Sequence, residues 1–511
     1  MELSFLNIPN IEKSRGLRRE KWCMYEKTTY LAGIKCKGGF QLKSINNLCE
    51  KIKHNYKDIH QMKKVSELID YISVQSIEKT AFLLLIIWVL SPIIIMFHTS
   101  FIQDQEQILK QVDISTTWYE ILQTIGFLGC ILNIIVFLKS ILKAKMEKIS
   151  IRQYLKNNLF LILLFLMLFW SIFSCIASDN IELSLNGTLY RKEGLITYFT
   201  YCGIFGLGYV IKEKRFIQLI LELFTLSAAI LSILMLINSE ILNNLFGFTV
   251  DSAIFFNENH FAYYLCMSLM CALLLFETEK KSGPKLMLRI LIFAIITAAL
   301  VRNGSLGPYL AVVVGLACSI ILVKWLNKKC LKRVLLAGVV FVIVTVIMNI
   351  SNNHLYIDLK IFGLDIFKIM KGSPQDKVHV GSDRWPLWMN GLRFITEKPL
   401  FGYGPDNLGA QYAKVNIIID RPHNEFIQFA ASLGIPALVS YIMALTVHFI
   451  SFLKQRKHVI MVYVGILCTV IAYLASSMFG NTMYYTSPFF FMLLGLSASM
   501  QKLVETLSEL D

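Results

Sequence analysis

The sequence predicts an all-α, polytopic membrane protein of about 12 transmembrane helices, with a large outer loop between helices 9 and 10 and a cytoplasmic N-terminal extension. Three observations predict it. Of 511 residues, 55% are hydrophobic, and the mean hydropathy is +0.56, beyond what a water-soluble globule carries. Twelve apolar stretches approach the roughly 20 residues that a bilayer-spanning helix needs. The loops between them alternate between strongly basic and acidic or mixed, which sets orientation.

In order, the first 79 residues are polar and basic rather than a cleavable signal, with Ile52, Tyr56, Ile59, Val65, Leu68 and Ile72 at helical spacing. Fifteen Lys and Arg against nine Asp and Glu leave +6 on this segment. It reads either as an amphipathic helix that meets anionic headgroups or as a solvated extension before the first span. The membrane region, 80–503, has apolar stretches at 81–97, 118–138, 157–177, 195–211, 216–237, 261–276, 288–303, 308–323, 334–350, 425–453, 459–477 and 487–503. A short cytoplasmic tail, 504–511, follows.

The segments Lys139–Lys156, Lys212–Arg215, Lys280–Arg289, Lys324–Arg333 and Lys454–His458 are basic and fall on one side, the cytoplasm. Both termini share that side. The same bias accounts for the net charge of +15, so nucleic acid is not an expected partner. The eleven cysteines lie in spans, cytoplasmic loops or the N-terminal segment, which predicts neither a disulfide nor a zinc site.

The outer loop, 351–424, is too long for a minimal connection and is expected to fold onto the membrane face. It carries Gly381-Ser382-Asp383-Arg384-Trp385, then Pro399-Leu-Phe-Gly-Tyr-Gly-Pro405, then Arg421-Pro422-His423-Asn424. With Arg191, Arg302 and Arg393, the arginines at 384 and 421 face outside, against the usual bias. A guanidinium is a rigid fork of donors suited to phosphate oxygens, so several converging there suit a phosphate or diphosphate. The alternative for each is a solvated cation or headgroup anchor.

Ser382 or Asp383 is expected to cap a helix with Trp385, Trp388, Met389, Leu392 and Ile395 on one apolar face, lying on the membrane and presenting Arg384. Gly402 and Gly404 permit turn geometry that other residues resist. His423 opens the next apolar helix, where the helix dipole favours the neutral imidazole, a proton acceptor. Asn424 either orients that ring or a substrate hydroxyl, or caps the helix.

The order Arg384-Trp385, Pro399–Pro405, His423-Asn424 and Ala431-Ser-Leu-Gly-Ile435 resembles the bacterial O-antigen ligase and polymerase superfamily over roughly 80–503. Asn186-Gly-Thr-Leu-Tyr-Arg191-Lys-Glu-Gly194 and Phe256-Asn-Glu-Asn-His260-Phe-Ala-Tyr263 agree with it. The resemblance implies a C-type glycosyltransferase at the outer face of the cytoplasmic membrane. It moves a glycan from undecaprenyl diphosphate to an acceptor hydroxyl on a lipid, glycan or protein, without cofactor, metal or nucleotide sugar. It also implies catalytic roles for His423 and Arg384, with Arg191, Arg302, Arg421 and Asn424 as substrate-binding residues. One departure is visible: Leu306 stands where the family often has arginine, and whether Arg302, one turn earlier, takes that place is left open by the sequence.

The rival class is a polysaccharide or lipid transporter or flippase. That class needs charged or broken helices at the bilayer midplane, and the spans here hold almost no charge, with Glu120, Glu222 and Arg302 among the exceptions. A non-catalytic membrane scaffold leaves the His423 cluster without a role.

Overall fold

A computed structural model describes residues 71–508 except 101–106, 238–252, 256, 281, 352–353, 374–375, 378 and 457, together with positions 67 and 69. The chain divides into units Met1–Tyr71 and Ile72–Asp511, and every helix below belongs to the second. The amphipathic pattern over 52–68 lies outside the described residues.

The described helices are α1 (Val74–Ser100), α2 (Gln107–Met146), α3 (Ile151–Asn157), α4 (Leu159–Ile176), α5 (Ile181–Asn186), α6 (Leu195–Val210), α7 (Lys214–Ile237), α8 (Glu258–Thr278) and α9 (Pro284–Asn303). There follow α10 (Leu306–Leu326), α11 (Lys328–Ser351), α12 (His354–Lys371), α13 (Val380–Glu397), α14 (Leu408–Lys414), α15 (Glu425–Leu433), α16 (Ile435–Lys454), α17 (Met461–Ser477) and α18 (Ser487–Ser508). Among the described residues ten helices are long and apolar enough to cross a membrane, and α6 and α17 are shorter apolar helices. Inside a bilayer only a helix or a closed barrel pairs all its backbone groups, so the apolar stretches become helices.

α8 and α18 form the interior, with almost every residue buried, whereas α2 and α11 bury few of theirs. From Leu335 onward the exposed residues of α11, among them Val339, Val342, Ile343, Val346 and Ile347, are apolar, a surface that lipid solvates. α6 packs between α2 and α18. It approaches α2 closely because a Cβ on Gly129 would lie 2.5 Å from the Gly203 carbonyl oxygen, so only glycine fits. Glu222, one of the few charges within a span, pairs with Arg289 and lies 3.8 Å from Lys285.

The tenth stretch, expected as one helix over 425–453, is two. Gly434, at φ 90°, ends α15, and Pro436 sits in the first turn of α16. The Ile435 N–H donates to the Pro399 carbonyl, 2.8 Å, which stitches the break to the outer loop.

The apolar face of α13 also differs from the expected one. Leu387, Gly391 and Phe394 are buried, while Met389 and Leu392 are exposed. Leu387 and Phe394 pack with Tyr403, Leu408, Tyr412 and Ala431, and Trp388 and Ile395 flank that cluster. The helix thus leans on protein, because α14 and α15 offer it an aromatic floor. It is α12 that leaves Tyr356, Leu359, Phe367 and Met370 exposed.

Candidate functional site

Three chain segments meet beyond the ends of the spans: the turn 187–194, the loop 379–424 and the 478–486 connection between α17 and α18. Gly402 and Gly404 lie at φ 64° and 97°, as their turn requires. That geometry lets Tyr403 and Gly404 donate their N–H groups to the carbonyls of Ala431 and Ser432, at 2.9 and 2.8 Å, docking the loop on the end of α15. Trp170 of α4 supports it, stacking on Phe401 and donating Nε1–H to the Leu400 carbonyl, 2.7 Å.

Helical geometry in α13 is interrupted at Gly381, Ser382 and Asp383, all in left-handed conformation, so Arg384 follows directly on a tight turn. That turn is tied down by the Gly381 N–H, which donates to the buried Asp365 of α12 at 2.8 Å. Arg384 itself is half-buried and has no ion pair with a described residue.

The other cations are already engaged. Arg191 grips Asp420 with both prongs, Nε to Oδ2 and Nη2 to Oδ1, each 2.8 Å, which leaves Nη1 against the Met483 sulfur, 3.7 Å. Arg421, 2% exposed, pairs with Asp406 and donates to the Thr482 carbonyl, 2.9 Å. Asp406 also accepts from the Thr188 N–H and hydroxyl, at 2.6 and 3.0 Å. Two arginines and two aspartates therefore cancel and lock the three segments together. Burial would raise the Asp420 carboxyl, but the Arg191 hydrogen bond and the charges of Arg421 and Arg191 hold it down to about 2.

Glu193, fully buried, hydrogen-bonds Tyr201. Burial pushes its carboxyl up to about 7, against the pull of Arg421.

His423 is half-buried, with a left-handed φ of 50°. Its Nδ1 lies 3.2 Å from the side-chain amide of Asn481. Burial first, then the charges of Arg384 and Arg191, lower its pKa to about 4, so the imidazole is neutral under ordinary conditions. His260 of α8 lies within electrostatic reach of His423, Arg191 and Arg421, and Tyr263 within reach of Arg384.

Of the residues singled out in the sequence, Arg191, Arg384, Arg421 and His423 gather here. Arg302 lies in the last turn of α9, half-buried, and has no ion pair with a described residue. Asn424 is a helix cap: its Oδ1 accepts from the Ile427 N–H at 3.0 Å, and its Nδ2 donates to the Met478 carbonyl at 3.0 Å. Sequence reasoning missed Asp406, Asp420 and Asn481. Asp406 and Asp420 adjoin motifs that were noticed, but the 478–486 connection carried no signal at all.

Residues 291–442 match the family model described as O-antigen ligase. Over that stretch the chain is similar to the O-antigen ligase and polymerase superfamily. The match, with ten helices long and apolar enough to cross a membrane among the described residues, supports a multi-pass membrane glycosyltransferase of the O-antigen ligase or polymerase type. The matched region runs from α9 into α16 and holds Arg302, Arg384, Arg421 and His423, while Arg191 and Asn481 lie outside it. No curated protein matches the chain.

Proposed function

We propose that this ligase- or polymerase-type enzyme moves a glycan from a polyprenyl diphosphate to an acceptor hydroxyl at the outer face of the cytoplasmic membrane, both termini being cytoplasmic. His423 takes the proton of the acceptor hydroxyl as its oxygen attacks the anomeric carbon. The bond from that carbon to the diphosphate oxygen breaks, the electron pair leaves with the diphosphate, and Arg384 neutralises it. A single displacement inverts the anomeric centre.

The observation that carries this reading is the pairing of a neutral imidazole with Arg384, a cation close enough to depress its pKa and without an ion-pair partner among the described residues. Arg191 adds Nη1 to the same anion, and Arg302 is the further candidate. Arg421 and Asn424 serve by holding the loop and the helix start. The acceptor is a lipid, glycan or protein hydroxyl, and no metal or cofactor takes part.

The test is glycan transfer from a polyprenyl-diphosphate donor by His423→Ala and Arg384→Ala proteins shown to be inserted and folded. Each is expected to lose at least about a hundredfold in rate. Normal polymer length and yield from either variant would overturn the reading.

A further inference from the structure

The geometry points to Asn481 as the positioning residue that selects the His423 tautomer, its side-chain oxygen accepting Nδ1–H so that Nε2 keeps the lone pair that takes the acceptor's proton. The inference rests on the proposed role of His423.

A neutral imidazole has one donor and one acceptor nitrogen, so the partner of Nδ1 decides what Nε2 can do. Asn481 is that partner, at 3.2 Å, and no described residue hydrogen-bonds Nε2. If the amide NH2 donates to Nδ1, the proton sits on Nε2 and the outward nitrogen cannot act as a base. If the amide oxygen accepts, the proton is held on Nδ1 and Nε2 is free. The two amide orientations have the same shape. As placed, the amide turns its NH2 to the ring and leaves Oδ1 buried without a partner; turning it over exchanges that oxygen for the NH2 at the same spot, so the orientation is decided by the proton-acceptor role proposed for Nε2.

The amide is also held in place. Asn481 is 4% exposed, and the backbone around it is pinned by three side chains. Asn424 donates to the Met478 carbonyl, Tyr263 to the Phe479 carbonyl and Arg421 to the Thr482 carbonyl, at 3.0, 3.1 and 2.9 Å. A second anchor joins Gln428 Nε2 to the Thr482 hydroxyl, 3.0 Å. The connection between α17 and α18 thus acts as a fixed bracket for the ring.

The charged and titratable groups facing His423 are Arg384 on α13, Arg191 on the 187–194 turn, His260 on α8, and Asp420 and Arg421 on its own segment. A carboxylate in place of the amide would turn a neutral acceptor for Nδ1–H into a charged one and raise the imidazole pKa.

The test has two arms. Nitrogen-15 NMR of full-length, histidine-labelled protein in nanodiscs at neutral pH reads the ring directly, the His423 signal being assigned by its loss in His423→Gln. Protonated Nδ1 with unprotonated Nε2 is expected, and the opposite tautomer overturns the inference. In transfer assays, Asn481→Ala is expected to lose roughly tenfold to a hundredfold in kcat with donor KM unchanged. Asn481→Asp is expected to stay active with its acid limb raised by about one pH unit or more. An unmoved acid limb in folded Asn481→Asp also overturns it. Should His423→Ala retain transfer, the catalytic reading fails while the NMR arm still decides the tautomer.

Discussion

Arg191 and Asp420 meet through a two-point fork, both bonds 2.8 Å, in the arrangement an arginine offers a phosphate. The carboxylate therefore competes for the donors that a lipid diphosphate would use. Asp420→Asn weakens that competition, and donor KM is expected to fall about threefold to tenfold, with kcat little changed. Steady-state kinetics with varied donor decide it; a raised KM would show that Asp420 orients Arg191 for the donor.

The pH dependence follows from His423. Its pKa, lowered from 6.5 to about 4, leaves the base form dominant above roughly pH 5, so initial transfer rates should be flat through neutrality and fall on an acid limb near 4. Linkage runs the same way. Between the two values the unfolded chain binds the proton more tightly, so the stability contributed by neutral His423 is complete above 6.5 and is lost as pH falls toward 4. An acid limb at the ordinary histidine value would contradict the burial that the structure gives the ring.

Asp406 and Arg421 are 3% and 2% exposed as side chains, so removing one strands the other without water. Asp406→Ala is expected to cost about 3 to 5 kcal/mol, read as a lowered midpoint of thermal unfolding in detergent. Asp420→Ala should cost clearly less, since Asp420 is 33% exposed. Combining Asp406→Leu with Arg421→Met should cost less than the sum of the single changes.

Chelation provides a simple control. EDTA is expected to leave transfer from a polyprenyl-diphosphate donor unchanged, and restoration of a lost activity by one added divalent cation would assign a metal role.

Much of the architecture was legible because lipid leaves the backbone so few options. An apolar stretch of sufficient length must pair its own backbone groups, and the alternation of basic loops orders the stretches. The limit of that logic appears at Gly434, where hydropathy runs on but the chain breaks, since the Ile435 N–H finds its acceptor at Pro399 in a loop far away in sequence. Likewise the helical spacing of Trp385 to Ile395 marked an amphipathic helix, yet could not reveal that Tyr403, Tyr412 and Ala431 would cover the face of Leu387 and Phe394.

The candidate site divides in the same way. His423 and Arg384 stood out by residue type in a polar interruption, and the sequence by itself determined that arginines and a histidine would lie together outside the spans, and to which superfamily their order is similar. Only the tertiary structure decided which of those cations is spent. Arg421 is neutralised by Asp406 and Arg191 by Asp420, while Arg384 is left without an ion-pair partner among the described residues. It alone brought Asn481, 58 positions away, to the His423 ring. The physical reason is that pairing and desolvation depend on distances set by packing between remote segments, whereas hydropathy and charge bias are properties of each segment alone.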